Sequence, residues 1–269
     1  MSASQRGLTL VKLGGSLLTD KRSVERPRAE TIRRLAEELA RASLEAPGTL
    51  VLGHGSGSYG HAEALRWGLS GHVTSEAGPA AVSAVQAAAA RLHCVVMREL
   101  RDAGAHPLSF APSACLVAEA GALGRWDPRP VLAALRVGAL PVVYGDVVLD
   151  GAGGARICST EDALGALARS LQDSGRRILS AIWLGDTDGV LDEHQERIPE
   201  IGAGTGVSPR SAGAAAGTDV TGGMAHRVAR ALELAAEGVP SWIGDGREPG
   251  VLRAVLAGED RGGTWVRPA

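Results

Sequence analysis

Aromatic side chains and excess positive charge are both scarce in this chain of 269 residues, and their scarcity excludes several classes of protein. Phe, Trp and Tyr make up 3% of the residues, and the formal net charge at pH 7 is −2. Proteins that bind nucleic acids carry a basic excess, and those that bind single strands stack the bases on aromatic rings. We therefore expect no nucleic-acid partner.

Cysteines and long hydrophobic runs are scarce as well. The three cysteines, Cys94, Cys115 and Cys158, are widely spaced and odd in number, so they match neither a disulfide framework nor a zinc site. The first residues lack the apolar core of a signal peptide, and polar side chains interrupt the Ala-rich stretch at 77–97. The sequence predicts a cytoplasmic protein with no membrane partner and no metal held by a cluster of side chains.

Lysine is the rarest charged residue. Of 28 basic side chains only Lys12 and Lys21 are lysines, and the others are arginines. A compact ammonium acts as a point charge on a transferring phosphoryl group, for which the planar guanidinium is a poor substitute. These lysines are therefore candidate catalytic residues for phosphoryl transfer, whose chemistry depends mostly on positioned charge.

Short β-branched runs alternate with longer Ala-, Leu- and Arg-rich segments of helical period, as in βαβ units. The predicted strands are at 8–13, 49–53, 107–110, 141–144, 178–184 and 239–243. The predicted helices are at 29–42, 80–103, 128–136, 161–172, 224–237 and 249–257. We therefore expect an α/β protein with a central, mostly parallel sheet. A division of the chain at 173–175 predicts two lobes that share this sheet, 1–173 and 174–269. The low-complexity stretch 202–217 predicts a mobile loop.

Glycine clusters follow five of the predicted strands. They are K-L-G-G-S, G-H-G-S-G-S-Y-G-H, Y-G-D-V-V, G-D-T-D-G-V and I-G-D-G. In open parallel sheets, ligands bind at the carboxyl ends of the strands, where glycine lets backbone amides approach phosphate oxygens. Five clusters at one edge predict an extended anionic ligand or two such ligands.

The second cluster formally matches the dinucleotide-binding pattern G-x-G-x-x-G over residues 55–60. That pattern normally follows the first strand of its domain, whereas this one follows the second, so NAD binding is disfavoured. His61 ends the cluster, and an imidazole beside these amides can donate a hydrogen bond to a phosphate. His54 is an alternative donor at the end of the strand.

Acidic residues follow the strands at the same edge. They are Asp146, Glu161, Asp162, Asp186 and Asp188. Carboxylates in this position can orient the lysines, bind a ribose or hold magnesium through water, because magnesium keeps several of its waters.

The chain resembles the amino acid kinase superfamily, and within it the isopentenyl phosphate kinases, in six segments between Leu8 and Val266. These are V-K-L-G-G-S-L-L-T-D-K, H-G-S-G-S-Y-G-H, P-V-V-Y-G-D-V-V-L-D, D-T-D-G-V, D-V-T-G-G-M and a final G-T. The resemblance implies an open αβα sandwich, a homodimer, and transfer of the γ-phosphate of ATP to isopentenyl phosphate with Mg²⁺. It further implies that the N-terminal lobe binds the acceptor and forms the dimer, and that the C-terminal lobe binds ATP.

The resemblance also implies site residues. Catalytic roles fall to His61, Lys12 and Lys21. The acceptor would be bound by Gly55, Ser56, Gly57, Gly60, Tyr144, Gly145, Asp146, Thr160 and Glu161. The nucleotide would be bound by Lys12, Gly14, Gly15, Ser16, Asp162, Asp186, Asp188, Gly189, Gly222, Gly223, Met224 and Arg227. A pocket for the hydrocarbon tail is expected between the Ala-rich helix and the strand end at 143–144.

The chain departs from the family pattern at several positions. Ser56 replaces the second of three glycines, and S-G-D-D becomes S-T-E-D at 159–162, which leaves open whether Glu161 or Asp162 orients the lysines. Arg227 stands where the family has a lysine. The charge is retained, and a guanidinium can still bind ATP phosphates with two parallel hydrogen bonds.

Three alternatives remain open at this point. A fosfomycin kinase shares the loop histidine, so the motifs do not separate an epoxide-bearing phosphonate from a prenyl phosphate. A nucleotide-binding regulatory protein without turnover is a second alternative, because positions 160, 161 and 227 depart from the family. An NAD-dependent dehydrogenase is the third, and it rests on the glycine pattern alone.

Overall fold

The structure is a computed structural model that describes residues 6–20, 22–69, 78–202, 223–259 and 261–268. Lys21, Gly222 and most of the loop predicted at 202–217 lie outside these ranges, so the expectations for them stay predictions.

Twelve strands lie in the described ranges. They are β1 (Leu8–Leu13), β2 (Leu50–His54), β3 (Pro107–Ser109), β4 (Val117–Glu119), β5 (Ala122–Leu123), β6 (Leu140–Tyr144), β7 (Asp146–Asp150), β8 (Ala155–Cys158), β9 (Ile178–Gly185), β10 (Glu200–Gly202), β11 (Ser241–Asp245) and β12 (Thr264–Arg267). Eight form the central sheet in the order β10-β12-β11-β9-β1-β2-β6-β3, and the other four form a second sheet in the order β5-β4-β7-β8. From β11 to β3 every pair in the central sheet is parallel.

The helices of the described ranges lie between these strands. They are α1 (Gly15–Leu18), α2 (Ala29–Glu45), α3 (Gly57–Arg66), α4 (Gly78–Asp102), α5 (Pro112–Cys115), α6 (Arg129–Arg136), α7 (Thr160–Asp173), α8 (Gly223–Ala236) and α9 (Val251–Leu256). All six predicted strands and all six predicted helices are confirmed, with ends that shift by at most three residues. The predicted α/β class and the mostly parallel central sheet are therefore correct.

Both faces of the central sheet are buried, as the alternating directions of the side chains along β1 show. Leu8 and Leu10 belong to one core cluster, which includes side chains of α6, α7 and α8. Val11 and Leu13 belong to the other, which includes side chains of α2, α4 and α9. Successive side chains of a strand point to opposite faces, and a sheet covered by helices on both sides needs apolar residues on both. The result is an αβα sandwich, in which Lys12 shares the face of Leu8 and Leu10.

The second sheet and α3 are elements that the sequence did not predict. The strands of the second sheet are two to five residues long, too short to show a period. The sequence of α3 begins Gly-Ser-Tyr-Gly, and glycine is a poor helix former. The glycine cluster after β2 therefore leads directly into the first turn of a helix. The N–H groups of Ser58 and Tyr59 already donate to Thr19 and Ser56, so the neighbouring amides of Ser56 and Gly57 are the candidates to bind an anion.

Length and mean hydropathy alone would allow α4 to cross a membrane. In the fold, its buried side chains, among them Ala81, Val85 and Leu92, face the protein interior, and the helix contacts α2, α3 and β7. This helix therefore packs as a core element and forms one wall of the cavity described below.

Candidate active site

The five glycine clusters meet at one edge of the central sheet because their strands end in register. Leu13 of β1 pairs with His54 of β2, and His54 pairs with Tyr144 of β6. On the other side, Leu13 pairs with Leu184 of β9, and β11 ends beside β9. The expected row of glycine turns at the carboxyl edge is therefore present in the structure.

The first two glycine turns pack backbone against backbone. A Cβ added to Gly15 would lie 2.5 Å from the Gly57 amide nitrogen, and one added to Gly55 would lie 2.7 Å from the Gly15 nitrogen. Gly57 also has a φ of +53°, which side chains disfavour. These glycines are required because the two turns approach too closely for any side chain. The close approach places the N-terminus of α1 beside the N-terminus of α3.

A buried triad of charges lies next to these turns. The Lys12 Nζ atom is 2.6 Å from Glu161 Oε1, and the Arg227 Nε atom is 3.8 Å from the same oxygen. All three residues are at most 8% exposed. Lys12 comes from β1, Glu161 from the first turn of α7 and Arg227 from the first turns of α8, so residues separated by 215 positions meet at one carboxylate.

Burial and neighbouring charge act in opposite directions on this triad. Burial lowers the pKa of the Lys12 amine, although the Glu161 carboxylate opposes that shift. Burial alone would raise the pKa of Glu161, but the positive charges of Lys12 and Arg227 together bring it below its usual value. Glu161 is therefore ionised at neutral pH, and two cations share one carboxylate. That excess of positive charge suits an incoming anion.

The Arg227 guanidinium lies across the ends of β1 and β9. A Cβ on Gly185 would lie 2.8 Å from its Nη1 atom, and one on Gly14 would lie 3.7 Å from its Nη2 atom. Its Nε atom is buried without a hydrogen-bond partner among the described residues. A buried donor without a partner is costly in free energy, and a phosphate oxygen would satisfy it.

Ser16 and Asp186 extend the site toward the end of β9. The Ser16 hydroxyl donates to Asp186 Oδ1 at 2.8 Å. Asp188, two residues on, is 3.9 Å from Arg197, and its side chain is 71% exposed. Asp186 is therefore the acid of this loop that contacts the glycine turn of Gly14 and Gly15.

Asp162 belongs to a second charge cluster. Its carboxylate lies 3.2 Å from His226, 3.5 Å from Arg156 and 3.6 Å from Arg230, and its backbone N–H donates to Ser159, the N-cap of α7. Of the two acids that the sequence left open, Glu161 is the one that contacts Lys12.

The remaining predicted residues occupy different places. His61 lies on α3, one turn beyond the glycine turn, with an exposed side chain, and Gly60 packs against the Ser56 side chain. Met224 is buried in the core at the start of α8, directly after Gly223. Gly189 has a φ of +114°, and a Cβ there would lie 2.7 Å from Thr264 Oγ1. Met224 thus packs in the core, Gly189 has a backbone conformation that favours glycine, and their nucleotide-binding roles stay predictions.

Two elements converge on the carbonyl of His54. The Thr160 hydroxyl donates to it at 2.7 Å, and the Gly145 N–H donates to it at 3.0 Å. The first turn of α7 and the end of β6 are thus tied to the start of the glycine turn. Asp146 follows, 2% exposed; one of its carboxylate oxygens accepts from the Ser113 N–H at 3.0 Å, and burial raises its pKa.

A cavity of about 500 Å³ opens between α4 and the second sheet. Its lining residues are Gly78, Pro79, Val82, Ser83, Gln86, Ser113, Val147, Leu149 and Gly154. The Ala-rich helix forms one wall, as expected from the sequence. The other wall is β7, which directly follows the expected strand end at 143–144. The expected wall differs from the observed one because the sequence did not predict the second sheet.

Sequence reasoning missed one further group of polar residues. The side chain of His54 is fully buried and bonds to Gly55 and to His93, so it is not a phosphate ligand. His93 lies on the buried face of α4, and no motif in the sequence distinguishes it from a structural histidine.

Comparisons with known proteins identify the family and the fold. A model of the amino acid kinase family matches residues 7–245. The isopentenyl phosphate kinase of Methanothermobacter thermautotrophicus is 31% identical over 271 residues, which cover 96% of this chain and 98% of that protein. That of Haloferax volcanii is 32% identical over 258 residues, which cover 95% and 97%. An X-ray structure of isopentenyl phosphate kinase matches with a TM-score of 0.78 and 28% identity, over 96% of this chain and 99% of that one.

Proposed function

Because this chain belongs to the amino acid kinase family, we propose that it transfers the γ-phosphate of ATP to the phosphate of isopentenyl phosphate, which yields isopentenyl diphosphate and ADP. The observation that carries the proposal is the buried triad of Lys12, Glu161 and Arg227 beside paired glycine turns, in a fold that also has an apolar cavity between α4 and the second sheet. The positive charges of the triad and the close glycine turns suit phosphoryl groups, and the apolar cavity suits a hydrocarbon tail.

The reaction needs no side-chain nucleophile. An oxygen of the acceptor phosphate attacks the γ-phosphorus, the bond from that phosphorus to the bridging oxygen breaks, and ADP leaves with the electron pair. The acceptor oxygens are largely ionised near pH 7, because the second pKa of a phosphate monoester is about 6. The protein therefore contributes position and charge, which dominate phosphoryl transfer.

Each part of the site has a proposed role in that step. Lys12 and Arg227 neutralise charge on the transferring group, and Glu161 holds both cations in place. The glycine turn at 55–57 and the N-terminus of α3 bind the acceptor phosphate, together with His61 and Lys21. The turn of Gly14 and Gly15 receives the ATP phosphates, whose negative charge suits the N-terminus of α1.

We propose Mg²⁺ as the metal ion that accompanies ATP. The described residues contain no group of three or more His, Cys, Asp or Glu side chains that could hold a metal by themselves. The donor set therefore fits an ion bound mainly by phosphates and water, with Asp186 as an outer ligand. When bound, the ion neutralises the β- and γ-phosphate oxygens.

The cavity supports an apolar acceptor. Pro79, Val82, Val147 and Leu149 are among its lining residues, and its volume of about 500 Å³ accommodates a five-carbon tail. A small, polar epoxide-bearing phosphonate would leave most of these apolar side chains without contacts. Prenyl monophosphates are therefore preferred over fosfomycin as acceptors.

We further propose a cytoplasmic homodimer in which residues 1–173 bind the acceptor and residues 174–269 bind ATP. Leu65 and Trp67, 80% and 41% exposed, give the end of α3 an apolar surface that a second copy would cover. Sedimentation of the wild type against Leu65→Glu tests the dimer, because a buried charge would separate the two copies. A wild-type chain that sediments as a monomer contradicts it.

A coupled assay of ADP release tests the reaction. With ATP and Mg²⁺, we expect turnover on isopentenyl phosphate and on dimethylallyl phosphate, and little on fosfomycin or on alkyl phosphates too short to fill the cavity. Turnover confined to fosfomycin or to alkyl phosphates would reject the acceptor, and ATP binding without turnover on any acceptor would favour a regulatory protein.

The role of His61 has its own test. His61→Ala should lower kcat by about 100-fold or more, by analogy with the loss of other preorganised donors, while the Kd for ATP changes less than twofold. His106→Ala is the matched control, since His106 is an exposed histidine outside the site. An active His61→Ala enzyme would show that the acceptor phosphate binds elsewhere.

A further inference from the structure

Two histidines and a serine form a hydrogen-bonded chain beneath the glycine turn. His54 Nδ1 lies 3.1 Å from the Gly55 carbonyl oxygen, and His54 Nε2 lies 2.9 Å from His93 Nδ1. His93 Nε2 lies 2.8 Å from the Ser109 hydroxyl. The chain joins the end of β2 to α4 and then to the edge strand β3.

The direction of every hydrogen bond in this chain follows from one carbonyl. The Gly55 oxygen can only accept, so His54 Nδ1 carries a proton and donates. In a neutral ring His54 Nε2 must then accept from His93 Nδ1–H, and His93 Nε2 must accept from the Ser109 hydroxyl. Burial lowers the pKa of His54 to about 4 and that of His93 to about 3, so both rings are neutral at physiological pH.

Tyr144 connects this chain to the wall of the cavity. Its ring stacks on His93 with centroids 4.1 Å apart and on His54 with centroids 5.8 Å apart. Burial raises the pKa of its hydroxyl to about 12, and the side chain of Gln86, which lines the cavity, lies close enough to oppose that rise. The chain of residues from cavity to glycine turn is therefore continuous.

The Gly55 carbonyl sets the direction of the next amide. In a trans peptide the C=O and N–H point in opposite directions, so a Gly55 oxygen held on the His54 ring directs the Ser56 N–H away from it. A Cβ on Gly145 would lie 3.4 Å from that nitrogen. The Ser56 amide therefore borders the space that glycine leaves open at the end of β6.

We infer that His54 and His93 are positioning residues, whose hydrogen-bonded chain aims the Ser56 amide at the acceptor phosphate. This inference rests on the proposed function, because it assigns the glycine turn to the acceptor. It predicts that breaking the chain weakens binding of isopentenyl phosphate and leaves binding of ATP unchanged, since Lys12, Glu161 and Arg227 are not part of it.

Two substitutions of His93 separate hydrogen bonding from packing. His93→Phe keeps a ring against Tyr144 and removes the donor to His54, whereas His93→Gln keeps a donor and removes the ring. We expect KM for isopentenyl phosphate to rise about 10-fold in His93→Phe and less than threefold in His93→Gln, because a net hydrogen bond contributes on the order of 1 kcal/mol. KM for ATP should change less than twofold, and His106→Phe is the matched control.

The reverse order of the two variants, or an equal rise in KM for ATP, would overturn the inference, because either result indicates packing alone. A second measurement needs no activity: long-range ¹H–¹⁵N spectra of the wild type should show His54 and His93 as Nδ1–H tautomers. An Nε2–H tautomer at His54 would contradict the proposed directions of the hydrogen bonds, and this result does not depend on whether His93→Phe folds. A wild-type enzyme without turnover on isopentenyl phosphate would contradict the proposed function. The tautomers of His54 and His93 would still show whether the two histidines are hydrogen-bonded as described.

Discussion

Two carboxylates that are neighbours in the sequence serve different charge clusters. Glu161 lies between Lys12 and Arg227, whereas Asp162 pairs with His226 and Arg230. Successive residues of a helix point about 100° apart around its axis. One step along the first turn of α7 therefore separates the proposed catalytic charges from a structural cluster.

The two clusters differ in their access to water. The side chains of Lys12 and Glu161 are 5% and 9% exposed, while those of His226 and Arg230 are 37% and 29% exposed. Water screens the second cluster, so the loss of one partner there leaves the others partly solvated. In the first cluster, removal of one charge leaves an uncompensated buried charge. The same chemical substitution should thus have unequal effects on the two sides of α7.

The largest effect is expected from neutralising the buried acid. Glu161→Gln leaves Lys12 and Arg227 without a counter-charge, which lowers the pKa of Lys12 further and disorders both side chains. We expect kcat to fall by about 10²–10³-fold, the scale seen when a preorganised electrostatic group is lost. Asp162→Asn is the matched change one residue away and should lower kcat less than threefold. Similar losses in both variants, with unchanged melting temperatures, would show that the clusters act as one.

An exchange of cation types should have an intermediate effect. Lys12→Arg places a planar guanidinium where a buried ammonium lies 2.6 Å from Glu161, and we expect kcat to fall about 100-fold because the larger group does not fit. Arg227→Lys keeps a cation at the less tightly paired position and should change kcat less than 10-fold. Steady-state kinetics of both variants at saturating ATP measures this. A Lys12→Arg enzyme as active as the wild type would remove the argument for a specialised lysine.

The smallest effect is expected in the second cluster, and it depends on pH. The hydrogen bond that His226 donates to the Asp162 carboxylate raises the pKa of His226 above 6.5, and the charge of Asp162 adds to this rise, although burial opposes it. A raised folded-state pKa stabilises the protein fully below about pH 6.5, and the contribution is lost as pH rises through the folded-state value. For a partly exposed pair this amounts to about 0.2–1 kcal/mol.

Urea unfolding at pH 6 and at pH 8.5 measures this contribution in the wild type and in Asp162→Asn. The free energy of unfolding of the wild type should fall more between the two pH values than that of the variant. NMR titration of His226 should show a lower pKa in Asp162→Asn. An unchanged His226 pKa would mean that the two side chains are not paired in solution.

The elements that the sequence predicted correctly are those with a clear local pattern, which is a short apolar run for a strand and a helical period for a helix. The strands β1, β2, β6 and β9 are apolar on both faces, as a sheet buried between helices requires. The helices α2 and α7 have one apolar side. The elements that were missed are too short to show a period, as in the second sheet, or begin with glycines, as in α3.

The candidate site was predictable where motif and position coincide. Glycine turns after parallel strands must meet at one edge, because the strands of a parallel sheet all end there. The choice between Glu161 and Asp162 was not predictable, since it depends on the rotation of α7 against β1. The pairing of His54 with His93 was not predictable either, because it depends on how α4 packs against the end of β2.

The sequence by itself determined the fold class, the row of glycine turns and the chemistry of a phosphoryl-transfer site, because these follow from local period and from residue types at strand ends. Only the tertiary structure decided which acid contacts Lys12, that Arg227 reaches the same carboxylate, and that a histidine chain supports the glycine turn. Those contacts join residues far apart in the sequence. Their geometry depends on how helices pack on the sheet, which no local pattern encodes.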